Sequence, residues 1–371
     1  MQKMIRLGAA LMLVLLLPAA AMAGGTWKTV TEAPSEEQKA MAGSDYTGEV
    51  TITFLGDCTL GEDTKRIPKR VGFARRIADN GMEFPFRELV RLTGSDDLTV
   101  ANLEGVLSDS DSLHRADKAY NFIGTAAYTE ILTLGSVECV TLANNHSHDY
   151  GDRGYRDTKA AVEAAGICWF GTDASAIWEG KDGLKIGFIG AAQTISGDRR
   201  KTYDRSAQIL RDYGCNAIIT VMHAGTEYSY DPPDGHQKQI TTHVTKTSDL
   251  VIGHHPHVVQ GWTLVNEVPV VYSLGNCVFG GNTKPKDLDA VAVQAVLHFT
   301  EGELDRIDLH FYPISVTSDR NYNNYSPRFL TGKEAERVLN KLRKSTGNDP
   351  GEWNERTGAT VSFDLRGNPN E

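Results

Sequence analysis

Short apolar runs recur along the chain and alternate with longer stretches of helical period. Residues 49–55 predict a strand that ends in Gly56-Asp57, and a helix follows at about 65–80. Residues 98–101 predict a second strand, ending in Asn102-Leu103-Glu104-Gly105, and 108–120 a polar loop. The pattern predicts helix over 126–134 and a third strand over 137–142. That strand runs into Ala143-Asn144-Asn145-His146-Ser147-His148-Asp149, and a helix spans about 154–165. The alternation continues with strands at 184–189, 217–222 and 250–252, separated by helices at about 205–213 and 235–245. Then the rhythm changes to strands alone, at 269–274, 290–299 and 305–312. Strands separated by helices, followed by strands without them, predict an α/β fold: a parallel or mixed sheet under helices with a later antiparallel part. Residues 24–47 carry no apolar period and are expected to be a linker. The tail from about 316 carries one helical piece, 332–344, and is otherwise polar.

The polar residues that follow the strands are the chemically informative ones. Asp57, Glu104, Asn145 with His146, His223, and His255 with His257 each come directly after an apolar strand. In open α/β sheets the carboxyl ends of the strands line the binding crevice. Six of the eleven histidines (146, 148, 223, 254, 255 and 257) fall at these ends. His255 and His257 stand two apart, so in extended backbone both rings would share one side and converge on one point. Imidazole nitrogen, carboxylate and amide oxygen without thiolate suit Zn, Mn or Fe, and fit poorly to a closed structural zinc site. A carboxylate at Asp57 or Glu104 could bridge two ions about 3.5–4 Å apart. Blander roles are open to each: a helix cap for Asp57 or Glu104, turn positions for Asn144 and Asn145, a satisfied core imidazole for His223, a solvated turn for the three-histidine stretch. His148 and Asp149 could orient ligands from behind.

Composition bounds the rest. The net charge of −10 disfavours nucleic acid as a partner, because phosphates need a basic surface. Residues 1–23 have the form of a secretory signal: Lys3 and Arg6, an apolar run over 11–17, and Ala21-Met22-Ala23 before the cut. The expected location is therefore periplasmic or extracellular, with membrane anchoring the alternative if the segment stays uncleaved. Five cysteines show no disulfide framework and are expected to be buried small hydrophobes, although one pair could close. There is no G-x-S-x-G, no P-loop and no G-x-G-x-x-G after a strand.

Taken in order, Gly56-Asp57, Asn102-Leu103-Glu104, Asn144-Asn145-His146 with Asp149-Tyr150-Gly151, His223-Ala224-Gly225-Thr226-Glu227-Tyr228, Gly253-His254-His255-Pro256-His257-Val258-Val259-Gln260 and Ser273-Leu274-Gly275-Asn276 resemble the CapA family. These are bacterial capsule synthesis proteins associated with poly-γ-glutamate and related to the calcineurin-like metallophosphatases. The resemblance covers about 49–314. It implies a four-layer α/β/β/α sandwich over 48–316, a C-terminal extension over 317–371, and a centre of two divalent ions at the strand ends. It implies Asp57, Glu104, Asn145, His223, His255 and His257 as metal ligands, and His146 with Asp149 as the catalytic pair. Asn144, Glu227, His254 and Asn276, in the same motifs, are the implied substrate contacts. The chain departs from the superfamily's Asp-x-His first motif, having Asp57-Cys58-Thr59. Two functions follow from the resemblance. One is a metal-dependent hydrolase in which metal-bound water attacks a phosphoester or a γ-glutamyl bond. The other is a non-catalytic component binding capsular polymer or membrane-bound synthase partners.

Overall fold

The computed structural model describes residues 25–40, 43–319 and 321–365, so the signal-like segment lies outside the described residues. Strand-forming runs are apolar on both faces because both faces are covered. In Ala217–His223, Ala217, Ile219 and Val221 enter a core between two sheets, while Ile218 and Met222 lie under helices. In Gly48–Thr59, Val50, Ile52 and Phe54 face that same inter-sheet core, while Leu55 and Cys58 turn to the opposite face.

The first sheet has seven strands in the order Thr26–Val30, Ser175–Glu179, Lys185–Ala192, Ala217–His223, Leu250–His254, Val268–Leu274 and Val259–Val265. The second runs Arg328–Phe329, Glu303–Ser315, Asp289–Thr300, Gly48–Thr59, Leu98–Leu103, Cys139–Thr141 and Cys168–Phe170. Asn276–Phe279 joins Gly48–Thr59 and Ala359–Asp364 joins Glu303–Ser315, giving nine strands. Helices Gly197–Asp212 and Gly235–Val244 cover the outer face of the first sheet, and Phe73–Asn80, Thr129–Leu134 and Gly151–Ala164 that of the second. The result is the α/β/β/α sandwich. The strands Gly48–Thr59, Leu98–Leu103 and Cys139–Thr141 are parallel neighbours, as are Lys185–Ala192, Ala217–His223 and Leu250–His254. Their carboxyl ends therefore come out on one edge.

Two segments behave differently from expectation. The stretch expected as a linker contains Thr26–Val30, which pairs antiparallel with Ser175–Glu179 and sets Trp27 against Phe188 at 5.3 Å between ring centroids. A single edge strand of five residues leaves too short a period to read. The C-terminal residues are not an appendage either. Helix Gly332–Thr346 buries Ala335, Val338, Leu339 and Leu342, one stripe at helical spacing, into the inter-sheet core. Among the described residues no helix is long and apolar enough to cross a membrane.

Candidate metal centre

Asp57 sits where Gly48–Thr59 passes closest to the chain at Gly275. A Cβ on Gly56 would meet the Gly275 carbonyl oxygen at 2.2 Å, and the Asp57 amide donates to that oxygen at 3.0 Å. Only glycine permits that approach. Asp57 is thus held at the tip, fully buried, with Oδ1 accepting from Asn102 Nδ2 at 2.8 Å and Oδ2 3.1 Å from His257 Nδ1. Asn102 is the next strand's contribution, and its Nδ2 also lies 3.2 Å from His223 Nδ1.

Glu104 projects into the middle. Its side chain is 0% exposed, and neither carboxylate oxygen has a hydrogen-bond partner. Around Oε1 stand His223 Nε2 at 3.6 Å, His146 Nε2 at 3.9 Å and His257 Nε2 at 4.0 Å. His223 Nε2 in turn lies 2.7 Å from Asn145 Oδ1 and 3.1 Å from His255 Nδ1. Two imidazole nitrogens, an amide oxygen and a carboxylate oxygen so crowded share too few protons to satisfy one another. Burial drives His223 well below the usual histidine range, with His255 beside it adding to the effect, and burial brings His255 to about 4. Both rings are therefore neutral, the form that ligates a metal.

The second cluster is Asp57, Glu104 and His257, whose potential ligand atoms lie within 4.8 Å of one another, as do those of Glu104, His223 and His255. Glu104 belongs to both clusters. Here the protonation differs. Burial works against a charged His257, but Glu104 and Asp57 outweigh it and hold the ring protonated up to about 10. Asp57 is held below the usual carboxylate range by His257 despite its burial. Burial, with the Asp57 charge adding to it, pushes Glu104 well above that range. The His257 proton thus pairs with the Asp57 carboxylate, while Glu104 beside it is disfavoured as an anion until a cation takes a place between them. The orphaned Glu104 oxygens and this donor set fit divalent metal.

His146 is oriented from behind. Its Nδ1 lies 2.7 Å from Asp149 Oδ2, and its ring stacks on Phe122 at 4.2 Å. Asp149 is fully buried, accepts from the Phe122 amide at 2.6 Å and pairs with Lys118. Lys118 Nζ also donates to the Asn145 carbonyl at 2.8 Å. Sequence reasoning missed Lys118, which lies in a polar loop without period; only its position in space marks it. It also left Asn102 without a role.

The structure corrects several expectations. His255 and His257 do not converge by strand alternation: their φ angles are +100° and +57°, so the backbone coils left-handed. The two rings flank Glu104 in separate clusters instead of meeting at one point. Three of the four expected substrate contacts brace the scaffold. Asn144 Nδ2 donates to Asn102 Oδ1 and the Leu103 carbonyl. His254, 2% exposed, places Nε2 3.0 Å from the Leu55 carbonyl. Asn276 Oδ1 takes His257 Nδ1 at 2.9 Å. Glu227 alone of the four is exposed, and it stands near enough for its charge to act on Glu104 and His257. His148 packs its ring on Tyr155, away from Glu104.

Residues 51–281 match the family model described as bacterial capsule synthesis protein PGA_cap. This chain belongs to that family. A relative named capsule biosynthesis protein CapA, from Bacillus anthracis, is 23% identical over 74% of this chain and 70% of its own length. One named PGA biosynthesis protein CapA, from Bacillus subtilis (strain 168), is 24% identical over 71% of this chain and 73% of its own. Among solved structures, Vps29 of Chaetomium thermophilum aligns at a TM-score of 0.31 and 11% identity, covering 86% of this chain and 98% of that one. The PGA_cap match ends at 281, so the antiparallel strands Asp289–Thr300 and Glu303–Ser315 and the C-terminal helix lie beyond it.

Proposed function

We propose that this capsule synthesis protein is an exported, metal-dependent hydrolase that holds two divalent ions, one on each side of Glu104. The observation that carries the proposal is the buried Glu104 carboxylate, without a hydrogen bond and shared by two ligand clusters. His223, His255, Asn145 and Glu104 would hold one ion, and Asp57, Glu104 and His257 the other. Bound there, the ions would act as Lewis acids on the scissile group and lower the pKa of a water. The chain's own residues supply the rest. Asp149 engages His146 Nδ1 and leaves Nε2 toward the cleft, placing a proton-transfer group opposite Glu104. Lys118 fixes both Asp149 and the backbone of Asn145. The substrate class is a phosphoester or a γ-glutamyl bond of a capsular polymer.

A binding role in polymer assembly is the second proposal, favoured by Thr59 at the place of the superfamily's first-motif histidine. Metal analysis of the purified chain beside Glu104→Ala, followed by turnover of phosphoesters and γ-glutamyl peptides, tests both. The hydrolase predicts about two ions per chain, lost in the variant together with turnover. Metal without turnover of either substrate class overturns the hydrolase and leaves the binding role.

A further inference from the structure

Four of the five cysteines lie in two pairs on neighbouring strands, and all five are free thiols. Cys139 and Cys168 are register partners in the second sheet. Cys58 follows Asp57 and Cys277 follows Asn276, and Asp57 and Asn276 are themselves register partners. The Cys58 and Cys277 side chains are in hydrogen-bonding reach of each other, and both are fully buried. Cys58 and Cys277 lie between the register pairs Asp57–Asn276 and Thr59–Phe279, on neighbouring strands about 4.8 Å apart, a spacing inside the roughly 4.4–6.8 Å between Cα atoms that a disulfide spans.

The second pair lies where a crosslink would matter most. Asn276–Phe279 is four residues long, and its register against Gly48–Thr59 shifts between Asn276 and Phe279. Yet this weak ladder delivers two oxygens to one nitrogen: Asn276 Oδ1 and Asp57 Oδ2 both approach His257 Nδ1, at 2.9 Å and 3.1 Å. A slip of one residue would send Asn276 to the other face of its strand and separate the two.

We propose that Cys58 and Cys277 form a disulfide when the chain folds in contact with a thiol–disulfide oxidant, and that this bond fixes Asp57 against Asn276 at the metal centre. One cysteine thiolate attacks the oxidant's disulfide, expelling one thiol and leaving a mixed disulfide. The second cysteine thiolate attacks the mixed disulfide and expels the other thiol. The protein loses two S–H protons and two electrons, and the oxidant's disulfide becomes two thiols. Closure belongs to folding, because in the folded chain both sulfurs are buried out of reach of an oxidant. The crosslink stands apart from the metal proposal; only its effect on metal retention rests on it.

The test refolds the full chain in a glutathione redox buffer and, in parallel, in dithiothreitol. Free thiols are alkylated, and the digest is mapped by mass spectrometry. The expected result is a Cys58–Cys277 crosslinked peptide in the first sample and none in the second. Released to a chelator, bound Mn or Zn should leave the oxidised protein several-fold more slowly than the reduced one. Cys277→Ala should release at the reduced rate under both conditions. If both sulfurs are alkylated without reduction after oxidative refolding, the disulfide is overturned. A crosslink with equal release rates overturns its role in fixing the centre. If the reduced wild type binds no metal at all, the hydrolase fails, and the peptide map still decides the crosslink.

Discussion

Glu104 is the residue on which function and stability oppose each other. A buried carboxylate with neither oxygen hydrogen-bonded is unfavourable in the metal-free chain, and burial together with Asp57 shows it by raising its pKa well above the usual range. Glu104→Gln removes the charge and keeps the shape. Its metal-free form should melt above the metal-free wild type at neutral pH, while its metal content falls toward zero. Calorimetry with metal analysis on the same samples checks this; a variant that melts lower without metal removes the case for Glu104 as a strained ligand. Asn276→Ala removes a neutral partner of His257 Nδ1 and should weaken metal binding about 10–100-fold without unfolding the chain. Competition with a chelator measures it, and unchanged affinity would mean that Asp57 alone orients the ring. Residue identity was legible here, since Asp57, Glu104, Asn145, His223, His255 and His257 all announce themselves by following apolar runs. Orientation was not. Positive φ at His255 and His257 arises from the tertiary path of the turn, which the spacing of two residues does not encode. Asn144, His254 and Asn276 have the chemistry of substrate contacts, and only their partners show that they are fastened to Asn102, Leu55 and His257.

At the scale of elements, the central strands were readable because parallel strands buried on both faces are continuous apolar runs. Edge strands such as Thr26–Val30 and Ala359–Asp364 escaped, because they are short and one face is partly open. The helix Gly332–Thr346 was visible by period, but its importance was not. Leu339 is wholly buried between the sheets. Leu339→Ala should cost about 2–5 kcal/mol, whereas the same change in a detachable extension would cost little. Urea denaturation decides between these, and a loss below about 1 kcal/mol contradicts the packing described. The strand tip carries a second liability. Gly56→Ala would drive a methyl into the Gly275 carbonyl, so Asp57 or Gly275 must shift. The expected result is impaired metal retention together with a lowered melting temperature.

For the whole molecule, protons and metal ions compete for one buried volume, and this makes stability depend on pH in opposite ways on either side of the ordinary histidine pKa. His223 and His255 are depressed in the folded chain, the latter to about 4. Their contribution is therefore complete above about 6.5 and is lost as pH falls below it. His257 is raised to about 10, so its contribution is complete below about 6.5 and is lost as pH rises toward about 10. Glu104, also raised, loses stability in the same direction. The metal-free chain should therefore melt at progressively lower temperature from about pH 6.5 to about pH 10. Asp96 and Glu138, at the opposite ends of the strands, are pushed up by burial to about 8 and about 7 and act in the same direction. They are present with or without metal, so they cancel in the difference between loaded and chelated protein. An ion that takes the place of the His257 proton reverses the dependence at the centre itself, because its ligands must be deprotonated. The gap in melting temperature between loaded and chelated protein should widen as pH rises through this window. Glu104→Ala should show no gap at any pH. A gap that narrows with rising pH would mean that the His257 proton and the ion do not share a place. The two clusters joined by Glu104 would then be a salt-bridge network built for the fold, with the metal bound elsewhere or not at all.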